Sequence, residues 1–79
     1  MNYTDSDFPV CIREAEMATL AGGMVVRYEE SGGARDVFVD DEWSSRATLF
    51  PGMNLELESG GTRYLLSADD NGLRVERMA

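Results

Sequence analysis

The residues of this chain that could carry chemistry are mostly acidic, and most of them are closely spaced. Thirteen of the fifteen Asp and Glu residues fall in six groups, which are Asp5/Asp7, Glu14/Glu16, Glu29/Glu30, Asp40/Asp41/Glu42, Glu56/Glu58 and Asp69/Asp70. Two acids at i and i+2 of a strand lie about 6.6–6.8 Å apart on one face, close to two phosphate steps of DNA at roughly 3.4 Å each. Such a surface would resemble a nucleic-acid backbone to a basic groove. The alternative is an acidic surface that only keeps the protein in solution.

Other kinds of chemistry find little support. The chain has no His and a single cysteine, Cys11, which excludes zinc ligation by Cys and His and any Ser-His or Cys-His catalytic pair. The segment Asp69-Asp70-Asn71-Gly72 lacks the alternating acids and the downstream Glu of a calcium-binding loop. We therefore expect no enzyme, no catalytic residue, no metal site and no cofactor. Cys11 lies between two apolar residues and is predicted to be a buried structural thiol.

Length and charge narrow the setting of the protein. Its 79 residues, 43% hydrophobic and 28% charged, are typical of one globular domain. Seven Arg and no Lys against fifteen acids give a net charge of −8, which disfavours direct binding to nucleic acid or to an anionic membrane. No apolar run approaches the roughly 18 residues of a membrane span, and the N-terminus lacks the basic region of a signal peptide. We expect a cytoplasmic protein, monomeric rather than dimeric.

The N-terminal part of the chain is predicted to be helical over residues 9–21. A capping segment over 5–7 precedes the good helix formers of this stretch, and the glycines at 22–23 would end the helix. Because apolar residues also alternate near its start, a short strand over 8–13 followed by a helix over 14–21 is the alternative.

After the glycines the apolar residues repeat with a period of two, which indicates strands. Five short strands are predicted, over residues 24–30, 35–41, 53–58, 62–68 and 73–78. Glu30-Ser31-Gly32-Gly33-Ala34-Arg35 and Glu58-Ser59-Gly60-Gly61-Thr62-Arg63 share five of six residues, and their glycines suit tight hairpin turns. This repeat reflects either convergence on a good turn or an ancient duplication. The segment 69–72 is predicted to be a third hairpin turn.

The stretch from Glu42 to Gly52 has neither period and is predicted to connect two hairpins. Trp43 is the single tryptophan and follows three acids directly. Either it plugs the edge of the core together with Leu49 and Phe50, or it is exposed and anchors a partner. In the second case Asp40-Asp41-Glu42-Trp43 is the leading contact segment, with charges for steering and a ring for burial.

The predicted fold class is α+β, a single domain over residues 1–79 with one N-terminal helix packed on an antiparallel sheet of about five short strands. A small open β-barrel with a helix uses the same elements and is the alternative. Arg27, Arg63 and Arg74 are expected to form cross-strand ion pairs with glutamates on the wet face. The acids left free for a partner are then those near turns, with Glu14 and Glu16 on the helix. The candidate partner-binding residues are Glu29, Glu30, Asp40, Asp41, Glu42, Trp43, Asp69 and Asp70.

In its size, net charge, paired acids, expected single compact α+β domain and lack of catalytic residues, the chain resembles the small acidic anti-CRISPR proteins of phages that act as DNA mimics. This is a resemblance of class, without a diagnostic motif, and it spans the whole chain. It implies an inhibitor that occupies a basic nucleic-acid-binding surface of a CRISPR surveillance complex in a prokaryotic host cell. An antitoxin or immunity protein against a basic nuclease shares the same physics. A small accessory structural β-domain is the third possibility.

Overall fold

The computed structural model describes residues 1–78, and their regular structure is almost entirely β. Nine strands lie within this range: β1 Asn2–Tyr3, β2 Val10–Ile12, β3 Met17–Thr19, β4 Val25–Ser31, β5 Ala34–Val39, β6 Ala47–Leu49, β7 Asn54–Ser59, β8 Thr62–Asp69 and β9 Gly72–Arg77. They form a first sheet in the order β1-β3-β4-β5-β6 and a second sheet in the order β2-β9-β8-β7. Every pairing is antiparallel except that of β1 with β3. Among the described residues, no helix is long and apolar enough to cross a membrane.

The predicted helix over residues 9–21 is wrong, and so are the α+β class and the barrel with a helix. The helical elements in residues 1–78 are two short 3-10 turns, at Asp5–Asp7 and Ala21–Gly23. The segment 9–21 forms β2 and β3 instead. The alternative reading is right about a strand within 8–13 and wrong about a helix over 14–21.

Long-range pairing explains why good helix formers became strands. Ile12 lies opposite Leu73 of β9, and Ala18 lies opposite Val26 of β4, and all four side chains are buried. Between the two strands the chain turns at Ala15, whose φ is 73°. Burial of an alternating apolar face against both sheets therefore outweighs the small helix propensity of the segment.

The core lies between the inner faces of the two sheets. The first sheet, together with Leu20 directly after β3, contributes Ala18, Leu20, Val26, Tyr28, Val37, Val39 and Leu49. The second sheet contributes Ile12, Leu57, Tyr64, Leu66, Ala68, Leu73 and Val75. Each of the five predicted strands overlaps one of β4, β5, β7, β8 and β9. The period-two pattern after the glycines is therefore confirmed as strand.

Both copies of the repeated motif form two-residue hairpin loops with glycines at positive φ, as predicted. The flanking strands nevertheless present opposite faces to the core. Arg35 is only 8% exposed, whereas Arg63 at the equivalent position faces solvent. The alignment that superimposes the two turns also places buried Tyr28 on exposed Glu56. The repeat is therefore a local turn signal, which supports convergence over duplication.

The two sheets are joined by polar contacts next to the Ala21–Gly23 turn. The Ser59 hydroxyl donates to the carbonyl oxygen of Ala21, and the Ala21 N–H donates to the Tyr64 hydroxyl over 2.9 Å. The two backbones also approach closely here. A Cβ added at Gly22 would lie 2.8 Å from the Cα of Gly60, and one added at Gly60 would lie 2.7 Å from the carbonyl carbon of Ala21. Only glycine fits at this crossing of two backbones.

Arg35 makes a second junction between the sheets. From β5 its guanidinium donates to the carbonyl oxygen of Asp69 over 3.0 Å and to that of Gly72 over 3.4 Å, both in the β8–β9 hairpin. It also lies 3.6 Å from the carboxylate of Glu30 and above the ring of Tyr28. The side chain of Arg35 thus connects the β4–β5 hairpin of the first sheet to the β8–β9 hairpin of the second.

Candidate functional site

The loop between β5 and β6 carries the one tryptophan away from the body of the protein. We call residues 40–46 the acidic loop. The side chain of Trp43 is 97% exposed, so the prediction that it plugs the core is wrong. Of the two residues predicted to join it there, Leu49 is buried and Phe50 is 52% exposed. The structure agrees with the other alternative, in which Trp43 is exposed.

The acidic loop is fixed to the first sheet where it begins. The backbone N–H of Asp40 donates to the carbonyl of Val25 over 2.8 Å, and the Asp40 carboxylate accepts the N–H of Val25 over 2.9 Å. Asp40 has a φ of 55°, a left-handed conformation that Asp tolerates better than most residues. Asp40 is thus a structural residue of the loop as well as an exposed charge.

The loop is also fixed where it ends. The backbone N–H of Arg46 donates to the carbonyl of Val37, and the Arg46 guanidinium binds both carboxylate oxygens of Glu42, the shorter contact being 2.8 Å. Hydrogen bonding and charge from Glu42 raise the pKa of Arg46. With both ends held, Asp41 and Trp43 are left facing solvent.

A shallow groove borders the acidic loop on the outer face of the first sheet. A cavity of about 460 Å³ is lined by Met17, Val25, Arg27, Asp40 and Asp41. Sequence reasoning missed the first three of these. The reason is that Met17 was assigned to a helix, while the outward residues of β4 were taken only as a wet face. Their alternation along the strand was the available signal.

Arg27 divides this groove from a neighbouring cavity of about 380 Å³ that shares Met17 and Arg27. Its guanidinium lies 3.0 Å from the carboxylate of Glu29 and 4.5 Å from the centroid of the Phe38 ring. A cation over an aromatic face is attracted by the ring, so Arg27 is held in place from two sides. Arg27 is therefore a positioned cation on the outer face of the first sheet.

The candidate partner-binding residues fall in two groups near the two ends of β4. One group holds Asp40, Asp41, Glu42 and Trp43, and the other holds Glu29, Glu30, Asp69 and Asp70. The first group lies beside Val25 at the start of β4, which is about 13–17 Å from Glu29 and Glu30 at 3.4 Å per residue along the strand. The second group is held together by Arg35, which connects Glu30 to the β8–β9 hairpin.

Arginines neutralise several of these acids. Ion pairs join Glu29 to Arg27, Glu30 to Arg35 and Glu42 to Arg46. Arg63 pairs across the strands with Glu56 at 3.1 Å, as expected, whereas Arg74 pairs with Glu76 of its own strand at 3.8 Å. The prediction that Glu29, Glu30 and Glu42 stay free is therefore wrong. Asp41 and Asp70 have no ion pair among residues 1–78.

Cys11 is half-buried rather than enclosed in the core. Its thiol donates to the Asp69 carboxylate over 3.4 Å, and burial followed by this hydrogen bond raises the thiol pKa. The N–H of Asn71 lowers the pKa of Asp69 by donating to its carboxylate over 2.7 Å. A protonated thiol is a poor nucleophile. Across the part of the chain that the structure describes, no three Cys, Asp or Glu side chains cluster as metal ligands would.

Comparison of the chain with protein-family models, with curated proteins and with solved structures gave no match. The acidic loop offers a combination that suits contact with another protein. An indole ring buries a large apolar area when it is covered, and neighbouring carboxylates attract cationic groups over longer distances.

Proposed function

We propose that this protein is a protein-binding inhibitor that docks its acidic loop on a basic surface of its target. The observation that carries the proposal is the exposure of Trp43 on a loop whose two ends are fixed. A tryptophan in water contributes little to folding, but it buries about 150–250 Å² when a partner covers it. Trp is also among the residues that most often dominate binding energy.

The charge of the protein supports a basic target. The net charge is −8, and Asp40 and Asp41 lie three and two residues before the exposed Trp43. Attraction between opposite charges raises the rate of association and fixes its orientation. Met17 and Val25 in the adjoining groove add apolar surface beside these carboxylates. The contact would thus combine steering by charge with burial of apolar atoms.

Competition with nucleic acid is the finer form of this proposal. A protein surface that attracts the acidic loop by positive charge also attracts phosphates, so the docked loop would block access to nucleic acid. A CRISPR surveillance complex in the cytoplasm of a prokaryotic cell is the target that the resemblance implies, and a basic nuclease toxin is the alternative. Because the acids at the far end of β4 are remote and partly neutralised, we propose a contact centred on the loop rather than an extended row of phosphate-like charges.

The proposal predicts that Trp43→Ala and Asp41→Arg each weaken partner binding at least tenfold, because one removes the buried ring and the other reverses an unpaired charge. Tagged protein is used to capture partners from host lysate, with washes at low and then high salt and identification by mass spectrometry. Binding of the captured partner by each variant is then measured in titrations with and without its nucleic acid.

Two variants serve as matched controls. Phe50→Ala removes another exposed aromatic ring, and Asp70→Arg reverses another unpaired acid, both outside the acidic loop. They should bind as the unchanged protein does. A partner that ignores salt, or equal affinity for all four variants, would contradict the proposal. Binding that depends on the loop but persists beside the nucleic acid would contradict its finer form alone.

A further inference from the structure

The second sheet ends at β7 in the longest edge strand of the described chain. β7 has six residues, whereas the edge strands β1, β2 and β6 have two or three. An edge strand exposes unpaired backbone N–H and C=O groups, and natural proteins commonly keep such strands short. The length of β7 therefore singles it out as a template for a further strand.

The register of the β7–β8 hairpin tells which backbone groups are free. Ser59 and Thr62 close its two-residue turn as a hydrogen-bonded pair, and bonded positions then alternate along the strand. The N–H of Ala68 donates to the carbonyl of Met53, which continues the same alternation. The groups that point away from β8 belong to Asn54, Glu56 and Glu58. Within residues 1–78 these backbone groups have no other hydrogen-bond partner.

The side chains along this edge are of two kinds. Glu56 and Glu58 are exposed on the outer face of the second sheet, where Arg63 neutralises Glu56 but Glu58 has no ion pair among the described residues. On the inner face Leu55 is only partly buried, and Met53 just before the strand is 48% exposed. The edge thus offers negative charge on one side and uncovered apolar surface on the other.

We propose that the β7 edge binds an extended segment of a partner protein in which basic and apolar residues alternate. Added as a further strand, this segment bonds to the free backbone groups of β7. Its basic side chains lie beside Glu56 and Glu58, and its apolar side chains cover Leu55. A second copy of this chain is disfavoured, because pairing of β7 with β7 brings the glutamates of both copies together. This site is independent of the acidic loop.

The probe for the test is a seven-residue synthetic peptide of alternating arginine and valine, titrated into isotope-labelled protein. The amide signals of Asn54, Glu56 and Glu58 should shift, and their hydrogen exchange should slow, because their N–H groups become bonded. A peptide of the same composition with all arginines before all valines should bind at least tenfold more weakly. Equal binding of the two peptides, or no binding of the alternating one at millimolar concentration, would overturn the proposal.

Variants of the protein test the charge requirement. Glu56→Lys combined with Glu58→Lys should weaken the alternating peptide at least tenfold. Glu76→Lys is the matched control, since Glu76 lies on the same face across Leu65 from Glu56 but on the interior strand β9. It should bind normally, as should Trp43→Ala. If the double variant does not fold, the amide shifts of the unchanged protein decide whether the peptide binds at β7. Shifts confined to the acidic loop, or self-association through the β7 amides, would overturn the proposal.

Discussion

The hydroxyl of Tyr64 lies where three segments of the chain meet. Although the side chain is fully buried, its oxygen donates to the Asp5 carboxylate over 2.6 Å and accepts the N–H of Ala21. Tyr64→Phe removes both bonds and leaves a backbone donor without its partner. We expect a loss of about 1–3 kcal/mol in the free energy of unfolding, measured by urea titration with circular dichroism. An unchanged unfolding midpoint would contradict this prediction.

The same variant should change the response to alkali. Burial, followed by the hydrogen bond to Asp5, raises the pKa of Tyr64 above its ordinary value of 10.0. Tyr64 therefore ionises at lower pH in the unfolded chain than in the folded protein. The stability that neutral Tyr64 contributes is fully present below pH 10 and is lost as the pH rises through its higher folded pKa. Tyr3 and Tyr28 have raised pKa values as well. Above pH 10 the Tyr64→Phe variant should lose stability less steeply than the unchanged protein. It should still lose some, because Tyr3 and Tyr28 remain.

At the scale of elements, the two similar hairpins test what burial does to one residue type. Arg35→Met removes the guanidinium bonds to the carbonyls of Asp69 and Gly72, and should cost about 1–3 kcal/mol of unfolding free energy. Arg63→Met at the equivalent position removes only an exposed ion pair with Glu56 and should change stability by less than about 0.5 kcal/mol. Thermal unfolding of both variants measures the contrast. Equal losses would show that the junction between sheets contributes nothing.

The hairpins were also the elements that sequence predicted best. Their glycine pairs and alternating apolar residues are local signals, readable without knowledge of the fold. The segment 9–21 was not readable in this way, because the pairing of Ile12 with β9 and of Ala18 with β4 depends on strands far along the chain. Local helix propensity favoured a helix, and pairing with strands distant in the sequence outweighed it. The different burial of Arg35 and Arg63 shows the same limit. Two nearly identical turn sequences do not determine which face of the flanking strands points to the core.

At the scale of the whole molecule, net charge predicted the character of the surface but not its layout. The sequence identified the acids and the expected arginine pairs. Whether those acids gather at one place depends on which strand ends adjoin, and the structure divides them between the two ends of β4. The exposure of Trp43 was likewise undecided by sequence, since a loop side chain is buried or free according to what packs over it. The two proposed contact regions accordingly lie on different sheets.

The position of Trp43 gives the protein an optical property. Indole fluorescence moves to shorter wavelength when the ring leaves water. Because the only tryptophan is 97% exposed in the folded protein, unfolding should hardly alter its emission, even where circular dichroism records the full transition. A partner that covers the ring should produce a blue shift with no change in secondary structure. Tryptophan fluorescence would thus report docking but not unfolding, and circular dichroism would report unfolding. The two events can therefore be followed separately in an unlabelled sample.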